Sequence, residues 1–104
     1  MASGESKTPF SVHRSGALKI RFQQLQLQAW FEGRGEQFNA AYLKILQRLR
    51  TDPLTYGEPL YPLRHMRLQV RVCSVLPLKV EFAVSEEHHM VFIKSYHLFA
   101  APDE

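Results

Sequence analysis

The chain has a single cysteine, Cys73, so no disulfide can close within it, and a lone thiol fits a reducing compartment. No apolar run approaches the ~18 residues that a membrane-spanning helix requires. Internal repeats and low-complexity tracts are missing as well, which argues against a solenoid or a fibrous array. Acidic residues are absent from whole stretches. Between Ser6 and Phe31 stand Lys7, Arg14, Lys19 and Arg21 without a carboxylate; between Pro59 and Val80 stand Arg64, Arg67, Arg71 and Lys79, with His65. The acids gather instead at Glu32 and Glu36, at Glu86 and Glu87, and at the C-terminus. Net charge is only +3, but charge segregated in this way concentrates positive potential and favours anionic partners, nucleic acid or an acidic protein. The same layout also describes an ordinary solvated surface. The opening MASGESKTP is small and polar with no apolar stretch behind it, unlike a secretion signal, and a cytoplasmic protein is expected.

What is present is enough for one core. A length of 104 residues, with 45% hydrophobic and 22% charged, is that of one ordinary soluble domain. Residues 1–9 carry no pattern and read as a disordered leader, 10–99 as the domain and 100–104 as a tail. Phe10-Ser11-Val12-His13 alternates and suits a short strand. Ser15 can cap a helix in which Leu18, Phe22, Leu25 and Ala29 recur at helical spacing, with Trp30 and Phe31 near its end as core or partner contacts. Gly33 and Gly35 interrupt it. Phe38, Ala41, Tyr42, Ile45, Leu46 and Leu49 then form a single apolar stripe on a second helix. Glu36 at its start and Arg48 and Arg50 at its end complement the helix dipole, and Pro53 stops it around Thr51 or Asp52.

Pro53, Gly57, Pro59 and Pro62 read as a stiff elbow. Three strands are expected after it: Arg67 to Val75, Leu78 to Val84, and Met90 to Tyr96, the last two joined by the polar turn SEEHH. In the first, Leu68, Val70 and Val72 alternate with Arg67, Gln69, Arg71 and Cys73; in the second, Leu78, Val80, Phe82 and Val84 share a face. The order is β-α-α-β-β-β, an α+β fold with a helix hairpin on one face of an antiparallel sheet. The basic alternation is expected on the face opposite the helices.

Several words in this order resemble the RelE/ParE toxin family of bacterial type II toxin–antitoxin systems, which act in plasmid stabilisation. LQRLRTDPLTYGEPL is similar to the family's helix end, LRHMRLQVRV to its Arg-alternating strand, PLKVEFAV to the next strand and VFIKSYHLF to the closing one. The resemblance spans residues 10 to 99. The link VCSVLP is longer than the family's usual glycine-containing turn, and Leu98 and Phe99 stand where an arginine and a tyrosine are usual.

The resemblance implies a ribosome-dependent messenger ribonuclease that uses no metal or cofactor, held in check by an antitoxin. Such cleavage has the 2′-hydroxyl attack the adjacent phosphate. It needs a base, cations for the phosphoryl oxygens and an acid for the leaving oxygen. On this reading Arg67, Arg71 and Lys79 supply the cations, and His97 or Tyr96 moves the proton. His97 and Tyr96 are sequence neighbours on opposite faces of a strand, so only one can belong to the site. Arg67 and Arg71 lie about 13 Å apart on a regular strand, too far for one phosphate. Arg64, Lys94, Lys44 and Arg48 would contact RNA. His88 and His89 adjoin in a turn and face different ways, poor geometry for a shared metal. Two further readings stay open: a ParE-like inhibitor of DNA gyrase, and a fold relative without toxicity that binds RNA or an acidic partner.

Overall fold

The computed structural model describes residues 9–101. Apart from Pro9, the expected leader lies outside the described residues, as do the last three residues of the tail. Helix α1 spans Gly16–Phe31, and the Ser15 hydroxyl accepts a hydrogen bond from the Leu18 N–H at 3.2 Å, as a capping serine does. Helix α2 spans Gly35–Thr51 and stops before Pro53. Phe22, Leu25 and Ala29 of α1 pack with Phe38, Ala41, Ile45 and Leu49 of α2 in one core over a single face of the sheet.

The sheet has five strands in the order β1-β5-β4-β3-β2, with β1 at Ser11–His13, β2 at Glu58–Leu63, β3 at Leu68–Val75, β4 at Leu78–Ser85 and β5 at Met90–Leu98. The layout of a strand, two helices and then strands is as expected, and the arrangement is α+β. The sheet is mixed, however, not fully antiparallel. The first strand does not pair with a sequence neighbour; β1 lies parallel to β5, the last strand.

The elbow also needs correcting, because it contains β2. Pro59 and Pro62 lack N–H donors, and the strand is at the sheet edge, where such losses are tolerated. A register shift between Pro59 and Tyr61 accommodates Leu60 as an extra residue. Gly57 enters β2 with φ +74, and a side chain there would run into the Val72 carbonyl oxygen. After β2 the chain makes one turn of 3-10 helix at Arg64–Met66.

Two details of the sheet position everything that follows. In β3, Arg71 pairs with Phe82 and Cys73 with Val80, and Cys73, Val80 and Phe82 all belong to the core under the helices. The Arg71 and Cys73 side therefore faces the helical layer, the reverse of the expected orientation. In β5, Phe82 pairs with Ile93 but Glu81 pairs with Ser95, which leaves Lys94 as a bulge residue. Past that bulge the alternation changes phase. Tyr96 pairs with Val80 and turns into the core, while His97 pairs with Lys79 on the face without helices.

Candidate functional site

The residues singled out in the sequence do not converge on one hollow. Arg67 stands before β3, not within it, in the left-handed region at φ 55, and lies 3.6 Å from the Glu87 carboxylate with both side chains largely in solvent. Arg71 is 7% exposed. Its Nε and Nη2 donate to the Tyr56 and Gly57 carbonyl oxygens at 2.9 and 3.2 Å, and its Nη1 to Gln69 Oε1 at 3.0 Å. All three donations go to neutral acceptors; two tie β3 to the elbow and the third stays within β3. This guanidinium holds the fold and has no free edge for a phosphate. Lys79 is exposed on the opposite face. The expectation of a shared basic hollow is thus overturned by strand register.

Tyr96 is equally occupied. Its ring packs 5.2 Å from Phe22 and 6.5 Å from Tyr42, and its hydroxyl accepts from Arg14 Nη1 at 3.1 Å. Burial pushes the phenol pKa up, more than the Arg14 hydrogen bond pulls it down. Cys73, buried beneath the helices, has its thiol pushed up to about 11, chiefly by desolvation, and is a packing residue. Arg48 is held by Asp52 through two bonds of 2.8 Å and lies over the Tyr56 ring, and Lys44 is exposed on the same helix. Both belong to the helical layer. Arg64 is exposed in the 3-10 turn beyond β2. In the SEEHH turn, His89 has φ 52 and stacks on Phe10 with ring centres 4.5 Å apart.

The helix-free face of the sheet carries a different constellation. One row crosses all five strands through successive pairs: Tyr61 with Val70, Val70 with Ala83, Ala83 with Phe92, and Phe92 with His13. Val70 and Ala83 are buried, although no helix covers them, while Tyr61 is 44% and Phe92 37% exposed. The middle of the row is therefore covered by side chains of the face itself, with an exposed aromatic ring on either side. His13 lies against Phe92, ring centres 5.7 Å apart. The Lys94 ammonium donates to the Tyr61 hydroxyl at 2.9 Å, and that hydrogen bond raises its pKa. Alternation from Phe92 places Lys94 on this face, and the bulge at Lys94 then brings His97 to it as well. Toward one end of the strands, Lys79 and His97 pair directly, and His97 meets Phe99 edge-on at 5.4 Å. Glu58 and Glu81 share the face, so it is mixed in charge, with cations beside exposed rings.

Of the sequence-predicted residues, this face gathers Lys79, Lys94 and His97. It adds Tyr61, Phe92 and His13, which the sequence reading passed over. Tyr61 lay inside an elbow read as turn. Phe92 sits in a strand apolar on both faces, where alternation gives no direction. No protein-family model, no curated protein and no solved structure matches this chain.

Proposed function

We propose that this protein binds single-stranded RNA on the helix-free face of its sheet, as a RelE/ParE-like protein without toxicity. The row Tyr61–Val70–Ala83–Phe92–His13, flanked by the Lys94 ammonium, carries the reading. Exposed rings on a flat sheet give unpaired bases something to stack on, and lysines beside them meet the backbone phosphates. The Lys94 side chain reaches Tyr61 across the two strands between them. Bases would therefore stack on the exposed parts of the Tyr61 and Phe92 rings, carried on strands ~14 Å apart at ~4.8 Å per strand. Duplex RNA hides its base faces and would gain only the charge contacts.

The test is fluorescence anisotropy with a labelled single strand of ~10 nucleotides, within the site sizes usual for such surfaces, and a duplex of the same sequence. Preferential binding of the single strand, weakened by Phe92→Ala and by Lys94→Ala, is expected. Equal affinity for the duplex, or indifference to both substitutions, would overturn the reading.

A ribonuclease remains the second reading, favoured by one observation: Lys79 and His97 face each other across β4 and β5. In that reaction His97 would accept the 2′-hydroxyl proton as the oxygen attacks phosphorus, while Lys79 offsets charge on the phosphoryl oxygens. The P–O5′ bond would break as the 2′-oxygen–phosphorus bond forms, with water protonating the 5′-oxygen, giving a 2′,3′-cyclic phosphate. Transcript-end mapping after induction decides it. New 5′ ends that vanish with His97→Ala support cleavage; unchanged transcript ends exclude it.

A further inference from the structure

Helix α1 is apolar on two sides. Phe22, Leu25 and Ala29 enter the core, yet Ile20, Leu27 and Phe31 are 58%, 57% and 83% exposed. At ~100° per residue, this second stripe lies roughly 180° around the helix from the buried one. A helix with apolar residues on opposite sides has two faces to cover, and the described residues cover one. Ile20, Gln24, Leu27 and Phe31 follow the spacing i, i+4, i+7, i+11 used by the buried residues Phe38, Ile45 and Leu49 of α2 with Tyr42.

That spacing reads the same in both directions. An antiparallel copy of α1 would therefore set Ile20 against Phe31 and Gln24 against Leu27, twice over, about a two-fold axis. The charges agree with this arrangement. The N-terminal half of α1 carries Lys19 and Arg21 and no acid, and the chain just past its C-terminus carries Glu32 and Glu36. Arg34, bonded to Glu32, stands between them, which leaves that end net acidic by one charge. Antiparallel pairing brings each basic end beside the acidic end of the copy; parallel pairing would stack like charge on like. The sheet offers no competing route, since edge strand β1 has three residues and edge strand β2 contains Pro59 and Pro62. We infer that the outward stripe of α1 binds a second copy of this chain, forming an antiparallel two-fold dimer through Ile20, Leu27 and Phe31.

Two measurements on the full chain test this. Sedimentation across a concentration series should show a monomer–dimer equilibrium. Leu27→Glu, which would place a charge in the apolar contact, should weaken it by at least about tenfold with an unchanged circular dichroism spectrum. In addition, Ile20→Cys chains mixed with Phe31→Cys chains should form the mixed disulfide in preference to either homodisulfide, with the buried Cys73 silent. A monomer at all concentrations, a Leu27→Glu dimer of undiminished affinity, or a preponderance of homodisulfides would each overturn the inference.

Discussion

Lys79 and His97 are direct cross-strand partners on the face of the sheet that bears no helix. Both are exposed, so either can be altered without disturbing the core. If RNA lies along this face, Lys79 meets a phosphate. Lys79→Ala should then weaken binding of every sequence alike and reduce the slope of log K against log salt by about 0.7, the value for one phosphate contact on a single strand. Anisotropy titrations at several salt concentrations measure it.

Phe92 offers a ring and no charge. Phe92→Ala should cost about 1–3 kcal/mol of RNA affinity, the range for loss of one stacked base, while leaving the salt slope unchanged. Some loss of thermal stability is expected, because the ring is only 37% exposed and lies against His13, so affinity is to be taken per folded molecule. A change in slope without a change in affinity at low salt would contradict a stacking role.

Arg71 should behave oppositely. Its removal leaves the Tyr56 and Gly57 carbonyl oxygens without a charged donor and loosens the elbow from β3. Hydrogen bonds from charged groups contribute ~1.5–3 kcal/mol each net of exchange with water, so Arg71→Ala should destabilise the fold by about 3 kcal/mol. Urea unfolding measures this directly. RNA affinity per folded molecule should be unaffected.

Alkali should loosen the protein in a defined window. Burial lifts the Cys73 thiol from an ordinary 9.0 to about 11, so the unfolded chain loses this proton first as pH rises. Between those values the folded state binds more protons. The contribution is therefore complete below pH 9 and disappears as pH passes about 11. Tyr56 and Tyr96, also raised by burial, act in the same direction. Urea midpoints measured from pH 8 to pH 11 should fall, and Cys73→Ala should flatten the decline. Native protein should also resist alkylation at pH 8, whereas the unfolded chain reacts.

Local signals were legible wherever one physical cause dominated. Ser15 caps α1, Pro53 stops α2 after Thr51, and Leu78, Val80, Phe82 and Val84 share the core face of β4. Sequence reading faltered where two causes competed. Proline marked residues 53 to 62 as turn, but β2 survives there because an edge strand needs only part of its donors. Ile20 and Leu27 passed unnoticed because the inward stripe already explained α1.

The candidate site divides along the same line. Alternation in β3 and β5 was written in the order of residues: Arg71 had to oppose Val70, and His97 had to oppose Tyr96. Which member of each pair meets the helices was a matter of sign, and a period of two carries none. Pairing of Arg71 with Phe82 fixed that sign in β3, and the bulge at Lys94 fixed it in β5. The sequence by itself determined a capped helix hairpin and alternating strands, since capping, proline and periodicity act within a few residues. Only the tertiary structure decided which cations reach solvent together, because strand register depends on partners far away in the chain and a one-residue shift exchanges the two faces.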